Sequence, residues 1–122
     1  MTDRVIVVAQ DLIWADRLTR AVQAAGAEPV RVGSLERLEA ALPGIDAAII
    51  DLTALGYDGV AAIETARAGG ARVLAVGQHD DHELRKRALA AGADRVFAYR
   101  KLFEDGPATI AAWLAASASI EA

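Results

Sequence analysis

The sequence predicts an α/β protein: a doubly wound sheet of five parallel strands with helices on both faces, in a three-layer sandwich. Short apolar runs alternate with helical patterns five times along the chain, and a run comes first. That first run, residues 5–9, is continuous and rich in β-branched residues, which is typical of a strand buried on both faces. Residues 24–27 and 90–93 have the same sequence, Ala-Ala-Gly-Ala, and each places a glycine between a predicted helix and the next strand. Repeated helix ends of this kind are expected in a chain of strand–helix units.

The order of the elements follows from their local signals. The predicted strands cover residues 5–9, 28–32, 47–51, 72–76 and 95–99. The second strand is more polar and contains Pro29, so we expect it at an edge of the sheet. Ser34 is expected to cap the second helix, and a capping box of Asp80 and Glu83 the fourth. The last helix is expected to begin at residues 105–107. Right-handed crossovers then favour the flavodoxin-like strand order 2-1-3-4-5.

Length and composition limit what the chain can be. With 122 residues, it is expected to form one domain, residues 1–122, around a single core. The net charge is −4 and the arginines are scattered, which argues against direct binding of nucleic acid. The absence of cysteine excludes disulfides and thiolate metal sites. No run approaches the roughly 20 apolar residues that span a membrane, so we expect a cytoplasmic protein without membrane contact.

Asp51 is the most informative residue of the sequence. It ends the predicted third strand, at the edge of the sheet where open α/β folds place their binding sites. The segment that follows contains Gly56 and the pair Asp58-Gly59, and residues 88–94 read Ala-Leu-Ala-Ala-Gly-Ala-Asp. In these segments, and in the order of elements over residues 5–114, the chain resembles the receiver domains of response regulators, of the chemotaxis type.

The resemblance implies that Asp51 is a phosphoacceptor whose supporting residues are mostly replaced. In that family an acidic pair and the acceptor hold Mg²⁺, the metal and a lysine screen the phosphoryl charge, and a hydroxyl contacts the phosphoryl group. The matching positions here are Ala9 and Gln10 for the acidic pair, Gly77 for the hydroxyl and Tyr99 for the lysine, with Arg100 where a proline is usual. We therefore expect a degenerate receiver in which phosphorylation of Asp51 is inefficient or absent.

The other polar residues near Asp51 support only a weak metal site. Asp11 lies one residue past the acidic-pair position, and we interpret it foremost as the N-cap of the first helix. Asp11 and Asp51 would form a poorer Mg²⁺ site than three carboxylates, so no cofactor beyond weakly bound Mg²⁺ is expected. Arg100 or Lys101 would supply the cation of a rearranged pocket. Tyr99 is interpreted either as a core aromatic or as a phenol that hydrogen-bonds Asp51.

Apolar residues beyond those that the core requires indicate a protein-binding surface. Leu12, Ile13 and Trp14 are consecutive at a helix start and cannot all face inward. Trp14 is therefore predicted to be a surface anchor beside Asp51. Phe97 and Phe103 belong to the strand and helix that receivers commonly use for partners or dimers, and they are further candidates for the partner surface.

Three functions are compatible with these residues. The leading hypothesis is a pseudo-receiver, not an enzyme, that binds a sensor kinase, an output domain or another signalling protein of a two-component system or phosphorelay; homodimer formation is left open. The second is a receiver phosphorylated through a rearranged pocket of Asp11, Asp51 and Arg100 or Lys101. The third is a small-molecule or nucleotide-binding domain, although the loops contain neither a GxGxxG nor a P-loop pattern.

Overall fold

The computed structural model describes residues 3–121, and the side chains of residues 3–116. The strands are β1 (Arg4–Val8), β2 (Glu28–Val32), β3 (Ala47–Asp51), β4 (Arg72–Gly77) and β5 (Arg95–Ala98). The helices are α1 (Leu12–Ala24), α2 (Leu35–Ala41), α3 (Gly59–Ala68), α4 (His82–Ala91) and α5 (Tyr99–Glu121). None of the helices in this range is long and apolar enough to cross a membrane.

The strands form one parallel sheet in the order β2-β1-β3-β4-β5. The predicted fold class, the strand order and the edge position of β2 are confirmed. β1 and β3 are neighbours, with Val8 aligned to Ile50, so their carboxyl ends open side by side. This is the switch point at which doubly wound sheets form a crevice, because the chain leaves the two strands in opposite directions along the sheet.

Alternation of side chains along the strands produces two apolar cores, one on each face of the sheet. Ile49, Leu74 and Val76 belong to the core that α1 and α5 cover. Ile50 and Ala75 belong to the core on the side of α2, α3 and α4. All five are fully buried, and each large aliphatic side chain among them stabilises the fold by about 1.5–3 kcal/mol. The sheet is therefore a rigid support for the loops at its carboxyl edge.

Side chains cap α1 and α2 as the sequence predicts, α3 has a cap that was not predicted, and the cap predicted for α4 is wrong. Asp11, Ser34 and Asp58 accept hydrogen bonds from first-turn N–H groups of α1, α2 and α3 respectively. The capping box predicted for Asp80 and Glu83 is wrong, because the N-cap of α4 is Asp81. Its Oδ1 accepts a 3.0 Å hydrogen bond from the N–H of Leu84. Adjacent aspartates both suit an N-cap, so the sequence alone did not distinguish them.

The start of the last helix also differs from the prediction. β5 ends at Ala98, and Tyr99 is the first residue of α5 rather than the last of the strand. The backbone of Asp105 is non-helical, with φ −145° and ψ 34°, so the predicted start at residues 105–107 begins only the second segment of α5. Pro107 explains the break, because its ring obstructs the preceding turn and it has no N–H to donate. The first segment of the helix brings Tyr99 to the edge of the sheet.

Candidate functional site

Asp51 lies at the carboxyl end of β3, the central strand of the sheet. The residue is only 2% exposed, although its side chain carries a carboxylate. A carboxylate buried to this extent requires hydrogen-bond donors, because it has lost most of its hydration. The donors come from the loop after β3 and from the start of α5.

One oxygen of the Asp51 carboxylate, Oδ1, accepts three hydrogen bonds. The backbone N–H of Thr53 donates over 3.1 Å and the hydroxyl of Thr53 over 3.2 Å. The third donor is the phenolic hydroxyl of Tyr99, which also contacts the hydroxyl of Thr53. The phenol contact with Asp51, one of the two interpretations of Tyr99 from the sequence, is therefore present. We call Asp51, Thr53 and Tyr99 the hydroxyl cage.

Trp14 packs against the ring of Tyr99. The two ring centroids are 4.5 Å apart, at an interplanar angle of 40°, in the range of favourable aromatic pairs. Burial, followed by the hydrogen bond to Asp51, raises the pKa of Tyr99 above its usual range. The phenol consequently keeps its proton at neutral pH and acts as a donor toward the carboxylate.

Tyr57 links the ends of β1 and β3 next to the cage. Its buried hydroxyl lies 2.8 Å from the carbonyl oxygen of Val8 and 2.7 Å from that of Asp51, and its single proton is shared between them. Burial, and then the charge of Asp51, raises the pKa of Tyr57 as well. The tyrosine thus acts as a neutral clamp that holds the two strand ends at a constant spacing.

Gln10, at the second acidic-pair position, bridges two loops. Its Nε2 donates a 3.0 Å hydrogen bond to the carbonyl oxygen of Gly33, and its Oε1 accepts a 2.7 Å hydrogen bond from the N–H of Gly56. A carboxylate has no donor for the first of these bonds, so the amide suits a structural role that an aspartate would not. A Cβ on Gly56 would meet the Gln10 side chain at 2.0 Å, which explains the glycine.

The other two positions that the resemblance marked as replaced are occupied by core packing. Ala9 is buried in the core that α1 and α5 cover. Gly77 is buried at the end of β4, where a Cβ would lie 3.3 Å from Cδ1 of Leu52. A hydroxyl side chain at this position would require Leu52 to move by a few tenths of an ångström. Neither position offers a polar side chain to a ligand.

The two aspartates proposed as metal ligands have separate tasks. Oδ1 of Asp11 accepts hydrogen bonds from the N–H groups of Ile13 and Trp14, at 2.9 Å and 3.1 Å, and so caps α1. Oδ1 of Asp51 is enclosed by the hydroxyl cage. Among the described residues, no three carboxylate or histidine side chains cluster as they would to hold a metal ion. Any Mg²⁺ at this edge would therefore rely on water for most of its ligands.

The two cations proposed for a rearranged pocket point elsewhere. Arg100 is exposed, and its Nε forms a 2.7 Å bond to Oε1 of Glu104. Lys101 lies 3.5 Å from Asp105, on the side of α5 that faces the edge of β5. Successive helical residues are separated by about 100°, so Tyr99, Arg100 and Lys101 must diverge. The helical start of α5 turns the tyrosine toward Asp51 and both cations away from it.

An exposed apolar patch borders the site at the start of α1. Leu12 is 79% exposed and Ile13 is 66% exposed, whereas Trp14 is half-buried under Tyr99. Trp14, predicted as the surface anchor, is therefore the least exposed of the three, and its two neighbours offer more apolar surface. Phe103 is 59% exposed, and the guanidinium of Arg17 lies 4.2 Å from its ring centroid. Leu12, Ile13, Arg17 and Phe103 form a surface that we call the α1–α5 patch.

Two residues of the candidate site were not predicted from the sequence. Thr53 follows Asp51 by two residues, a spacing at which an aspartate commonly bonds the backbone and which could have marked the contact. Tyr57 carries no local signal, because its partner Val8 lies 49 residues earlier in the chain.

Phe97, a predicted candidate for the partner surface, is half-buried and lies away from the α1–α5 patch, along the edge of β5.

Comparison with known proteins identifies the fold. No family model matches the sequence, and the search of curated proteins found no match. A two-component response regulator from Clostridium difficile superposes with a TM-score of 0.80, over 93% of this chain and 96% of that chain, at 14% identity. The BeF3-activated receiver domain of DrrB gives a TM-score of 0.80, over 93% and 98%, at 16% identity. A CheY-like receiver domain protein from Methanospirillum hungatei gives 0.71, over 85% and 90%, at 20% identity.

These likenesses extend over most of this chain and most of each compared chain. At such low identities they show the fold and leave the chemistry to be argued from the site. The chain therefore has the fold of response-regulator receiver domains, with Asp51 at the end of the central strand.

Proposed function

We propose that this chain is a pseudo-receiver of a two-component-type system, a signalling module that binds a protein partner without a working phosphorylation switch. The observation that carries the proposal is the hydroxyl cage, in which Tyr99 and Thr53 both donate to Oδ1 of Asp51. The cage supplies from within the protein the hydrogen bonds that an open acceptor carboxylate would accept from water, and it occupies an oxygen that could otherwise coordinate a metal. The domain then keeps one conformation at this edge, whatever phosphodonor is present.

Electrostatics supports the same conclusion. Phosphoryl transfer depends on cations that neutralise the charge developing on the phosphoryl oxygens. The side chains at positions 9, 10 and 77 supply no carboxylate for Mg²⁺ and no hydroxyl for a phosphoryl oxygen. The phenol of Tyr99 is neutral, so it offers a hydrogen bond but no charge.

The orientation of α5 argues against phosphorylation through a rearranged pocket. Arg100 and Lys101 each pair with an acid one turn along the same helix. Exposed ion pairs of this kind contribute little to stability and are easily broken, so the pairs themselves do not keep Arg100 and Lys101 from Asp51. To reach Asp51, either cation would have to displace Tyr99 and rotate the first segment of α5 away from Trp14. A nucleotide site at this edge is less favoured, since its loops lack a glycine-rich phosphate cradle.

Asp51 is expected to remain unmodified when the purified chain is incubated with Mg²⁺ and acetyl phosphate. Intact-mass spectrometry measures the modification, because a phosphoryl group adds a defined mass. Asp51→Asn provides the blank, and a receiver domain with a complete acidic pair and lysine, in the same reaction, provides the positive control. Stoichiometric modification of the wild-type chain, absent from the Asp51→Asn variant, would contradict the proposal.

We further propose that the partner contacts the α1–α5 patch. Among the described residues five large apolar side chains are exposed, and Leu12, Ile13 and Phe103 are three of them. Arg17 stacks between Trp14 and Phe103, so the patch combines apolar area with a cation at its centre. Patches of this composition are typical of protein interfaces, where aromatic and arginine side chains contribute most of the binding energy.

Photo-crosslinking in the source cells tests this surface. A photoreactive amino acid at position 12 or 103 is expected to capture one signalling protein, a sensor kinase or an output domain, or a second copy of the chain. The matched control is position 89 on α4, where Leu89 is also exposed, at 45%. Equal capture of the same protein from position 89, or capture from that position alone, would exclude the patch as the docking surface.

A further inference from the structure

A groove runs along the edge of β5, between that strand and α5. Its volume is about 660 Å³, within the range of small-molecule sites. Arg72, Arg95, Phe97, Thr109, Ala112 and Trp113 are among the residues that line it. We call it the β5–α5 groove. Arg72 and Arg95 are the first residues of parallel strands, so this end of the groove lies at the opposite edge of the sheet from Asp51.

Small side chains on the helix leave the groove open. Residues 108, 112 and 116 are all alanine and line the groove, and a spacing of four places them on one side of the helix. Side chains alternate along a strand, so Arg72 lies on the same face of the sheet as Leu74. Arg95 and Phe97 lie on that face too, because they align with Leu74 and Val76. These three alanines therefore present methyl groups opposite two arginines and an aromatic ring, beside Thr109 and Trp113 of the same helix.

Two buried polar atoms in the groove have no protein partner. Among the described residues, Oγ1 of Thr109 and Nε1 of Trp113 are the buried side-chain atoms without a hydrogen bond. The residues are 8% and 6% exposed, and both line the groove. Unpaired buried donors of this kind cost free energy, and natural proteins have few of them. Both atoms have almost no exposed surface of their own, so they mark an unsatisfied part of the groove wall that a ligand does not reach in this conformation.

Two guanidinium groups in the groove lack a carboxylate partner in the described part of the chain, although Nη1 of Arg72 donates a long hydrogen bond, 3.5 Å, to the carbonyl oxygen of Trp113. Arg72 lies over the ring of Trp113, at 5.1 Å, and Arg95 over the ring of Phe97, at 5.2 Å. Within the described residues, neither forms a salt bridge with a carboxylate. The two acids that line the groove have partners of their own. Asp94 accepts a 2.7 Å hydrogen bond from the backbone N–H of Val73, and Asp105 forms a salt bridge with Lys101.

We propose that the β5–α5 groove binds a small organic acid. Its anionic group, a carboxylate or a phosphate, pairs with the guanidinium groups of Arg72 and Arg95, whose fork geometry fits either anion. Its flat apolar body lies between the ring of Phe97 and the alanines of α5. The site is separate from the hydroxyl cage and does not depend on the state of Asp51.

Calorimetric titration of the intact chain with three probes of one shape tests the proposal. Naphthoate and naphthyl phosphate carry the two anions, and naphthalenemethanol is the uncharged counterpart. At least one anion is expected to bind saturably with 1:1 stoichiometry, about tenfold or more tightly than the alcohol. The better of the two anions identifies the head group. Absence of saturable binding by both anions, or equal binding by the alcohol, would overturn the proposal.

Variants then locate the binding. Arg72→Gln and Arg95→Gln are each expected to weaken binding of the anion about tenfold, and Ala112→Leu to abolish it by filling the groove. Ala112 is exposed on a helix, so the leucine should not disturb folding, which circular dichroism verifies. Arg87→Gln changes an exposed arginine on α4; it is the matched control and should bind as wild type does.

Unchanged binding by Ala112→Leu would place the probe outside the groove. Sedimentation that shows a dimer dissociating on Ala112→Leu would assign the groove to a second copy of the chain.

Discussion

Tyr99→Phe is expected to lower the free energy of unfolding by about 2 kcal/mol, the contribution of a hydrogen bond to a charged group. The phenyl ring keeps its packing against Trp14, so the variant removes only the hydroxyl. The carboxylate of Asp51, which is 2% exposed in the wild-type protein, then keeps only the two hydrogen bonds from Thr53. Urea denaturation of the two proteins measures the difference.

A double-mutant cycle assigns that loss to the hydroxyl cage. In an Asp51→Ala background, Tyr99→Phe should cost less than about 1 kcal/mol, because the charged acceptor is gone. Equal costs in the two backgrounds would mean that the phenol stabilises something other than the carboxylate. A Tyr99→Phe variant with unchanged stability and unchanged partner binding would remove the cage from the account of function altogether.

Stability is expected to fall as the pH rises above about 10, the usual pKa of tyrosine in an unfolded chain. Tyr57 and Tyr99 are the only tyrosines, and burial raises the pKa of both in the folded protein. Below pH 10 both states keep the two phenolic protons, and the tyrosine contribution is fully present. Above it the unfolded chain releases protons that the folded chain retains, so the free energy of unfolding decreases by up to about 1.4 kcal/mol per pH unit for each tyrosine.

Tyrosinate absorbance, followed together with circular dichroism over an alkaline titration, measures this linkage. The absorbance should rise only as the fold is lost, and Tyr57→Phe should reduce the slope of stability against pH by about half. Phe at position 57 removes the titrating group and keeps the ring, so it serves as the matched control. Ionisation of both tyrosines near pH 10 with the fold intact would be inconsistent with buried, protonated phenols.

Much of the fold followed from local patterns. Continuous apolar runs predicted the buried strands, Pro29 predicted the edge strand, and the alternation of elements predicted the strand order. The boundary between β5 and α5 did not follow, because residues 96–99 form an apolar run that suits either structure. The cap of α4 did not follow either, because Asp80 and Asp81 have the same local preference.

The sequence by itself determined where the functional edge lies and which side chains are absent from it. The order of residues along the chain is enough to place Asp51 at the end of an apolar strand. It is also enough to show that Ala9 and Gln10 stand at the positions of the acidic pair. Only the tertiary structure decided what Asp51 does instead. The helical phase of α5 turns Tyr99 inward while Arg100 and Lys101 turn away, and that phase is set by packing against distant strands. The β5–α5 groove was equally inaccessible to sequence reasoning, because it joins residues of three elements that meet only in the folded chain.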